Sequence, residues 1–398
     1  MTAITYEKLG DIAQYLRGIN FKPDDVTDVG SPGIVACMRT KNIQEFLDCS
    51  DVWGVAESFV RRPEQILQEG DILVSSANSW NLVGKCCWIP NLPWKTTFGG
   101  FVSALRAKPK QVSPRFLYWW FSSDRTQALL RSFGRKTTSI SNLSAEQCLN
   151  LSVPLPPLPE QRRIAAILDQ ADALRAKRRE ALAQLDTLTQ SIFIEMFGDP
   201  DENVRGLPVE MLGTLCKRIT DGTHQSPKWE TTGVPFLFIS NIVDGQITFE
   251  THKFISDETY VELTRRCPIE LGDVLYTTVG SYGNAAVVKT TERFAFQRHI
   301  AHIKPDMGKA IPSFVAAMIQ STGVRRQVDK VAKGVAQKTV NLADLKSLLV
   351  FAPPLPLQQT FATRIQSVEA LKATHRVALQ ELDRLFASLQ HCAFSGEL

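Results

Sequence analysis

The run Pro154-Leu-Pro-Pro-Leu-Pro-Glu-Gln-Arg-Arg-Ile164 decides how this 398-residue chain is read. Clustered prolines halt whatever precedes them, and a proline followed by an acid suits a helix start. Beyond it, Ile164, Ile167, Ala171, Leu174, Ala181, Leu185, Leu188 and Ile192 recur in alternating steps of three and four, broken only where Arg178 takes one slot. Such a heptad seam predicts a long helix. Phe197-Gly-Asp-Pro200 closes it with a glycine cap and a proline.

The same arrangement returns near the end of the chain. Pro353-Pro-Leu-Pro-Leu-Gln-Gln359 precedes a second seam: Phe361, Val368, Leu371, Ala378, Leu382, Leu385 and Leu389, with Arg364 off pattern beside Ile365. Upstream, Leu9-Gly10 recurs as Leu212-Gly213, Asn42-Ile43 as Asn241-Ile242, and Gly70-Asp71-Ile72-Leu73 as Gly272-Asp273-Val274-Leu275. Pro114-Arg115-Phe116 recurs as Pro312-Ser313-Phe314. The offset drifts from 203 to 197, as loop insertions cause. The chain is therefore an internal repeat of a globular block, a proline stop and a long helix. Two equivalent helices related by a pseudo-two-fold axis run antiparallel, and each is the simplest partner for the other. Arg178 and His375 fill the same slot near the middle of each helix. Two readings stand: they meet and fix the register, or each snorkels to the surface.

The globular blocks read as mixed α/β. Gly70–Ser76, Gly272–Thr278 and Ala285–Val288 are β-rich runs between turn residues, and Phe116–Phe121 and Phe314–Ile319 read as short buried helices. Trp119 and Trp120 read as core. With 44% hydrophobic and 22% charged residues, each half can bury an ordinary core. Eight cysteines form no C-x-x-C pair and no histidine cluster joins them, so zinc-ligand spacing is absent and free thiols in a reducing compartment are expected. Met1 to Gly10 have no signal-peptide pattern, and no run reaches a membrane span, so a cytoplasmic, soluble chain is expected.

Net charge is only +4, but its distribution is uneven. Arg106–Lys136 holds eight basic residues and one acid, and Arg298–Lys346 holds nine and three. These stretches occupy matching places in the two halves. DNA is the natural partner for such patches, and a solvated basic face is the plainer alternative. From Ile164 to Ile192 the first seam covers ~42 Å of helix, or about twelve base pairs. Two basic domains at the ends of that spacer would touch DNA about one turn apart. Because the domains differ in sequence, the site they read would be split and non-palindromic.

Taken together, these features resemble the DNA specificity subunit of a type I restriction-modification system. The proline-helix junction at 154–164 carries the resemblance, with its echo at 353–359. So do Asp221-Gly-Thr-His-Gln-Ser-Pro227, similar to the start of a target recognition domain, and Gly334–Leu345 with Gln337-Lys338-Thr339-Val340-Asn341-Leu342. There are departures: Gly134–Leu143 lacks the Gln-Lys pair, the second junction lacks a counterpart of Glu160, and the first half has no Asp-Gly-Thr-His segment. The resemblance implies an α/β fold of two target recognition domains, 1–158 and 200–355. These are separated by two antiparallel helices, 159–199 and 356–398, forming a coiled coil. It also implies double-stranded DNA, two modification (methyltransferase) subunits and restriction (translocase and nuclease) subunits as partners. S-adenosylmethionine, ATP and magnesium are then expected in those partners and no cofactor in this chain. No methyltransferase Asn-Pro-Pro-Tyr motif, Walker loop or paired-acid nuclease pattern is present, so a non-catalytic reader is expected. The recognition subunit of a related restriction-modification system that cuts on both sides of its site, and a coiled-coil scaffold with no nucleic-acid role, are the alternatives.

Candidate DNA contacts in the second half are Thr223, His224, Gln225, Ser226 and Lys228, in a segment that also suits an Asx-type turn begun by Asp221. Ser281, Tyr282 and Asn284 follow a strand-like run, opposite Ser79, Trp80, Asn81 and Lys85 of the first half; Gly84 and Gly283 mark a turn or a close backbone approach. Gln297, Arg298 and His299 suit base edges, or alternatively a solvated edge strand. Lys338, and in the first half Arg135 and Lys136, read as phosphate contacts.

Overall fold

The computed structural model describes residues 5–136, 140–334 and 338–398, without the side chains of Arg135 and Lys136. The chain forms two compact units: Met1–Lys177 with Leu379–Leu398, and Arg178–Ala378. Each helix is thus divided near its middle, and each unit holds one globular block with a half of both helices.

In the first unit a four-stranded antiparallel sheet runs in the order Ala13–Arg17, Val102–Ala107, Ile72–Ser75, Cys86–Trp88. Ile72, Val74 and Leu105 point to a core built on the helix Pro114–Phe121, whereas Leu73, Cys87 and Ala104 point to a second core with Met38 and Phe98. Both faces are covered, which is why Ile72–Ser75 reads as a continuous apolar run rather than an alternating one. A three-stranded sheet, Trp53–Ala56, Ile34–Met38 and Thr96–Phe98, adjoins it, with its last pair parallel. The second unit repeats this plan. Its four-stranded sheet is Cys216–Asp221, Ile300–Pro305, Val274–Thr277, Ala285–Val287, and its three-stranded sheet is Phe254–Ile255, Val234–Leu237, Ala295–Phe296, again with one parallel pair. The helices Pro114–Phe121 and Pro312–Ile319 are both buried, Trp119 and Trp120 with them.

The residues that recur in sequence hold the same polar joints. Gly70 and Gly272 adopt φ of +94° and +88°. The aspartate after each is buried and matched by a cation, Asp71 by Arg106 at 2.6 Å and Asp273 by Lys304 at 2.9 Å; His302 Nε2 also lies 2.6 Å from the Asp273 carboxylate. Asn42 and Asn241 each accept the backbone N–H three residues before them and donate onward to loop carbonyls. At the junctions, buried Gln161 accepts the Ser113 N–H at 2.8 Å and donates to the Pro156 carbonyl at 2.8 Å. Gln358 does the same with Ile311 and Pro353, both at 2.8 Å. Each glutamine therefore stitches a helix start to the loop that begins the buried helix of its own globular block.

The long helices are Leu158–Phe197 and Leu355–Ser395. Gly198, at φ +84°, ends the first. In the second unit Glu195 pairs with Arg364, Asp186 with Lys372, and Arg178 Nη1 lies 3.2 Å from His375 Nδ1. The order of these contacts is antiparallel, and the two mid-helix polar residues meet. In the first unit Arg175 binds Asp172 of its own helix at 2.9 Å and Asp383 of the other at 2.7 Å, under the ring of Phe386. Lys372, only 5% exposed, does the corresponding work in the second unit, with Glu369 at 3.3 Å and Asp186 at 3.0 Å.

The apolar stripe differs from the seam expected above. Leu174, Leu188, Leu371 and Leu385 are exposed, while Leu168 and Phe386, outside that seam, are buried. The reason is that each helix end packs on a globular block as well as on the other helix. Phe386 meets Trp119 at 5.3 Å and Phe394 meets Phe116 at 5.5 Å in the first unit; Phe193 and Phe197 meet Phe314 and Phe361 in the second. The buried face therefore follows Gln161, Ile164, Ala165 and Leu168. Replacing Gln358 by leucine leaves the Ile311 N–H and the Pro353 carbonyl unpaired in the interior. It is expected to cost about 1–3 kcal/mol of stability, read by urea denaturation of the full chain.

Candidate nucleic-acid interface

In the second unit the strand Cys216–Asp221 runs out into Gly222-Thr223-His224. Position 222 admits no side chain, since a Cβ there would lie 2.1 Å from the Phe296 carbonyl oxygen. That close approach lets the Thr223 N–H donate to Phe296 at 3.2 Å and the Arg298 N–H donate to the Thr223 carbonyl at 3.0 Å. The segment thus lies alongside Gln297, Arg298 and His299. The Thr278 N–H donates to the His299 carbonyl at 2.9 Å, the Gly280 N–H to Lys338 at 3.0 Å, and the Val340 N–H to Thr278 at 2.9 Å. Backbone hydrogen bonds therefore string together four segments far apart in sequence, at 223–225, 297–299, 278–281 and 338–340.

Their side chains are mostly presented outward. His224, Gln225, Ser226, Lys228, Ser281, Arg298 and Lys338 are exposed, and Thr223, Asn284, Gln297 and His299 are half-buried. His224 Nε2 lies 2.9 Å from Asp221 Oδ2, and the Thr223 hydroxyl donates to the Gln225 carbonyl at 2.9 Å, so the segment is indeed a tight turn. Burial, together with the charges of Arg298 and His224, lowers the pKa of His299, which is therefore neutral near pH 7 and accepts from Arg298 Nε at 3.3 Å. Tyr282 sits differently: it is buried, its hydroxyl donates to Asp329 at 2.7 Å, and Arg325 lies 4.3 Å over its ring. Gly283, at φ +97°, and its counterpart Gly84, at φ +85°, turn the chain there. Gln337 lies outside the described residues.

The first unit assembles matching segments from different residues. A Cβ on Gly18 would lie 2.2 Å from the Gly99 carbonyl oxygen, and the Ile19 N–H donates to Phe98 at 2.8 Å. Ser76 and Ala77 donate to Phe101 at 3.0 and 3.1 Å. Ala77–Asn78 pairs with Ser141–Leu143, which pairs with Gly134–Lys136. The backbones of Arg135 and Lys136 are therefore one strand removed from Ala77–Asn78, which leads into the loop carrying Ser79, Trp80 and Asn81, and their side chains lie outside the described residues. Ser79 donates to Asn81 at 2.7 Å, Trp80 is exposed, and half-buried Lys85 donates to Gln44 at 2.7 Å. The counterparts of Thr223–Gln225 and Gln297–His299 are Ile19-Asn20-Phe21 and Gly99-Gly100-Phe101. Sequence reading missed both. The glycine that lets two backbones touch, Gly18 or Gly222, is the signal they share.

The two basic runs do not supply these surfaces as a block. Arg106 is held by Asp71, Lys108 by the Gly10 and Asp11 carbonyls, and Arg115 by Asp169. Lys304 is held by Asp273 and Glu270, Arg325 by Asp329, and Arg326 by Asp199 and Asp201. Arg106, Arg115, Lys304, Arg325 and Arg326 thus pair with this chain's own carboxylates, which composition alone cannot reveal.

One constellation has the residue types of a nucleophilic triad: Cys267 Sγ lies 3.4 Å from His302 Nδ1, and His302 Nε2 lies 2.6 Å from Asp273. Its electrostatics oppose that chemistry. Burial pushes the Cys267 thiol up, away from the thiolate, and His302 and Asp273 are buried in the Lys304 ion pair. Among the described residues no group of three or more His, Cys, Asp or Glu is placed to hold a metal ion. No helix among them is long and apolar enough to cross a membrane.

Comparison with known proteins agrees with the repeat. The model of the type I restriction modification DNA specificity domain matches residues 4–184 and again residues 212–384. The chain belongs to this family. It is a family of DNA-recognition rather than catalytic chains. Members similar to this chain include the EcoKI specificity subunit of Escherichia coli strain K12, 24% identical over 97% of this chain and 87% of that protein. The StySPI specificity subunit of Salmonella potsdam is 22% identical over the same shares. The fold is shared with a chain solved in work on complex assembly and conformational transition of a type I R-M system, at a TM-score of 0.57 and 19% identity over 100% of this chain and 99% of that one. It is shared also with the type I S subunit of M. genitalium, at a TM-score of 0.54 and 13% identity over 98% and 96%.

The joint at Asp273 has a consequence for pH. Burial raises its pKa, but hydrogen bonds from His302, Lys304 and the Glu270 N–H outweigh this and leave the carboxyl below its ordinary value. A depressed carboxyl contributes stability above its unfolded pKa of about 3.9 and loses it as pH falls toward the folded value. Asp273→Asn is therefore expected to be less stable at pH 7 and to lose less stability between about pH 5 and pH 3 than the unaltered chain, as followed by denaturation at each pH.

Proposed function

We propose that the chain is the DNA-reading subunit of a type I restriction-modification complex, and that each unit reads one half of an asymmetric, two-part site. The observation that carries this reading is the convergence, in both units, of four distant segments onto one outward-facing, polar surface built around Gly18 or Gly222. Thr223, His224, Gln225, Gln297, Arg298 and Ser281 would face bases in one half-site. Asn20, Phe101, Ser79, Trp80 and Asn81 would face the other. Lys228, Lys338, Arg135 and Lys136 would contact phosphates. Tyr282 holds its turn through Asp329 rather than offering its ring; Asn284 flanks that turn, and Lys85 flanks the equivalent turn at Gly84 in the first unit.

The reading divides the chain into recognition domains 1–158 and 200–355 and helices 159–199 and 356–398, the helices forming an antiparallel coiled coil that sets the unread gap. Double-stranded DNA, two modification subunits and the restriction subunits would be its partners. S-adenosylmethionine, ATP and magnesium would then act in those subunits, where base flipping and methyl transfer take place.

Methylation profiling of a host expressing this chain with its modification subunits tests the reading directly. Exchanging residues 200–352 for those of a related chain is expected to change one half-site and leave the other intact; a change in both halves would refute the division of labour. Inserting one heptad between Leu174 and Leu188 adds ~10.5 Å of helix and is expected to lengthen the gap by about three base pairs. An unchanged gap in an active insertion variant would refute the spacer.

A further inference from the structure

Two readers of unlike half-sites face different bases but the same sugar-phosphate backbone. Features that differ between the units are suited to bases, and features that recur on the interface are suited to phosphate. A pair of adjacent arginines whose side chains take no part in holding the fold recurs there, as Arg61-Arg62 in the first unit and Arg265-Arg266 in the second. Each pair lies a few residues before the recurring turn at Gly70-Asp71 or Gly272-Asp273.

Each pair lines a concavity beside the strand that runs into Gly18 or Gly222. In the first unit it is a cavity of about 600 Å³, where Arg61 and Arg62 stand with Arg17, Asn20, Gly100 and Phe101. In the second it is a cavity of about 430 Å³, where Arg265 and Arg266 stand with Arg218, Thr220, Gly222 and Thr223. Asp221 and Glu262 also line the second cavity, Asp221 already engaged by His224. All four arginines are exposed, and among the described residues none has a carboxylate partner. This sets them apart from Arg106, Arg115, Lys304 and Arg326, whose charges are internally matched.

The pairs are also held in place, by different residues to the same end. Buried Gln65 accepts the N–H groups of Arg61 and Arg62 at 3.1 and 3.2 Å and donates to the Arg17 carbonyl at 3.2 Å, fastening the pair to the strand end. In the second unit Arg218 Nη1 donates to the Arg266 carbonyl at 2.7 Å. Fixing the backbone while leaving the guanidinium groups unpaired reduces the ordering cost of a charge-assisted contact to a phosphodiester.

Building on the DNA-reading function above, we propose that Arg61-Arg62 and Arg265-Arg266 are equivalent phosphate clamps, one in each unit, that grip the DNA backbone without reading sequence. The test uses the full chain with its modification subunits and two duplexes of equal length, one carrying the methylated site and one unrelated. Arg265→Gln with Arg266→Gln, and separately Arg61→Gln with Arg62→Gln, should weaken both duplexes by the same factor. Each should reduce the slope of log affinity against log salt by about 1–2, at ~0.9 for every phosphate no longer neutralised. The methylated sequence should stay the same, and arginine-to-lysine pairs should keep most of the slope. An unchanged slope in a variant that still unfolds at the parental temperature overturns the clamp and leaves the DNA-reading function standing, as does weakening confined to the cognate duplex or an altered methylated sequence. If the unaltered complex itself binds neither duplex with a steep salt slope, the DNA-reading function falls and the clamp with it.

Discussion

Two cations between the helices, the buried Lys372 and the half-buried Arg175, constrain the rest of the molecule. A charge removed from water has to be matched, and here the matching carboxylates come from both helices: Asp172 and Asp383 for Arg175, Glu369 and Asp186 for Lys372. An apolar stripe can slide by a heptad and stay buried, whereas a buried ammonium that slides loses its partners. The two clusters occupy corresponding positions, so the pseudo-symmetry of the sequence is realised as a symmetric set of charge contacts, one in each unit. The Arg178–His375 contact lies between them in sequence and follows from the same register.

From that register the seat of each globular block follows. Phe386, Phe394 and Gln390 approach the buried helix of the first block, and Phe193, Phe197 and Gln190 approach that of the second. Gln161 and Gln358 then lock each helix start to its own block. A packed interior transmits such constraints without slack. The outward segments hang on sheets whose two faces are both covered, so surface loops that differ between the units are carried by nearly the same framework. This division, a shared scaffold with unlike loops, is what a reader of an asymmetric site requires.

Much of the scaffold was legible in the sequence because each recurring residue meets a local need that has one chemical solution. Gly70 and Gly272 need a positive φ, Asn42 and Asn241 close a turn, and the proline junctions begin helices. The buried helix read at 116–121 and the core placement of Trp119 and Trp120 were legible because an unbroken apolar and aromatic run has to be buried. The helix stripe was less so: a three-four repeat reports apolar residues without saying whether they meet a helix, a block or solvent, and Leu174, Leu188, Leu371 and Leu385 meet solvent. Charge runs say less, because whether Arg106 or Lys304 is free for a partner depends on an aspartate some thirty residues earlier. The candidate surface of the first unit was hidden because Ile19-Asn20-Phe21 and Gly99-Gly100-Phe101 share geometry with their counterparts but not residue type.

The most direct measurement is a double-mutant cycle on the charge contact between the helices, with Asp186→Asn and Lys372→Met made singly and together in the full chain and stability read by denaturation. If the buried ammonium holds the register, the pair is coupled by roughly 0.5–3 kcal/mol, and the double variant is less destabilised than the sum of the singles. Effects that add to within about 0.3–0.5 kcal/mol would contradict the account, because Lys372 would then be matched without the other helix and nothing would fix how the two helices meet.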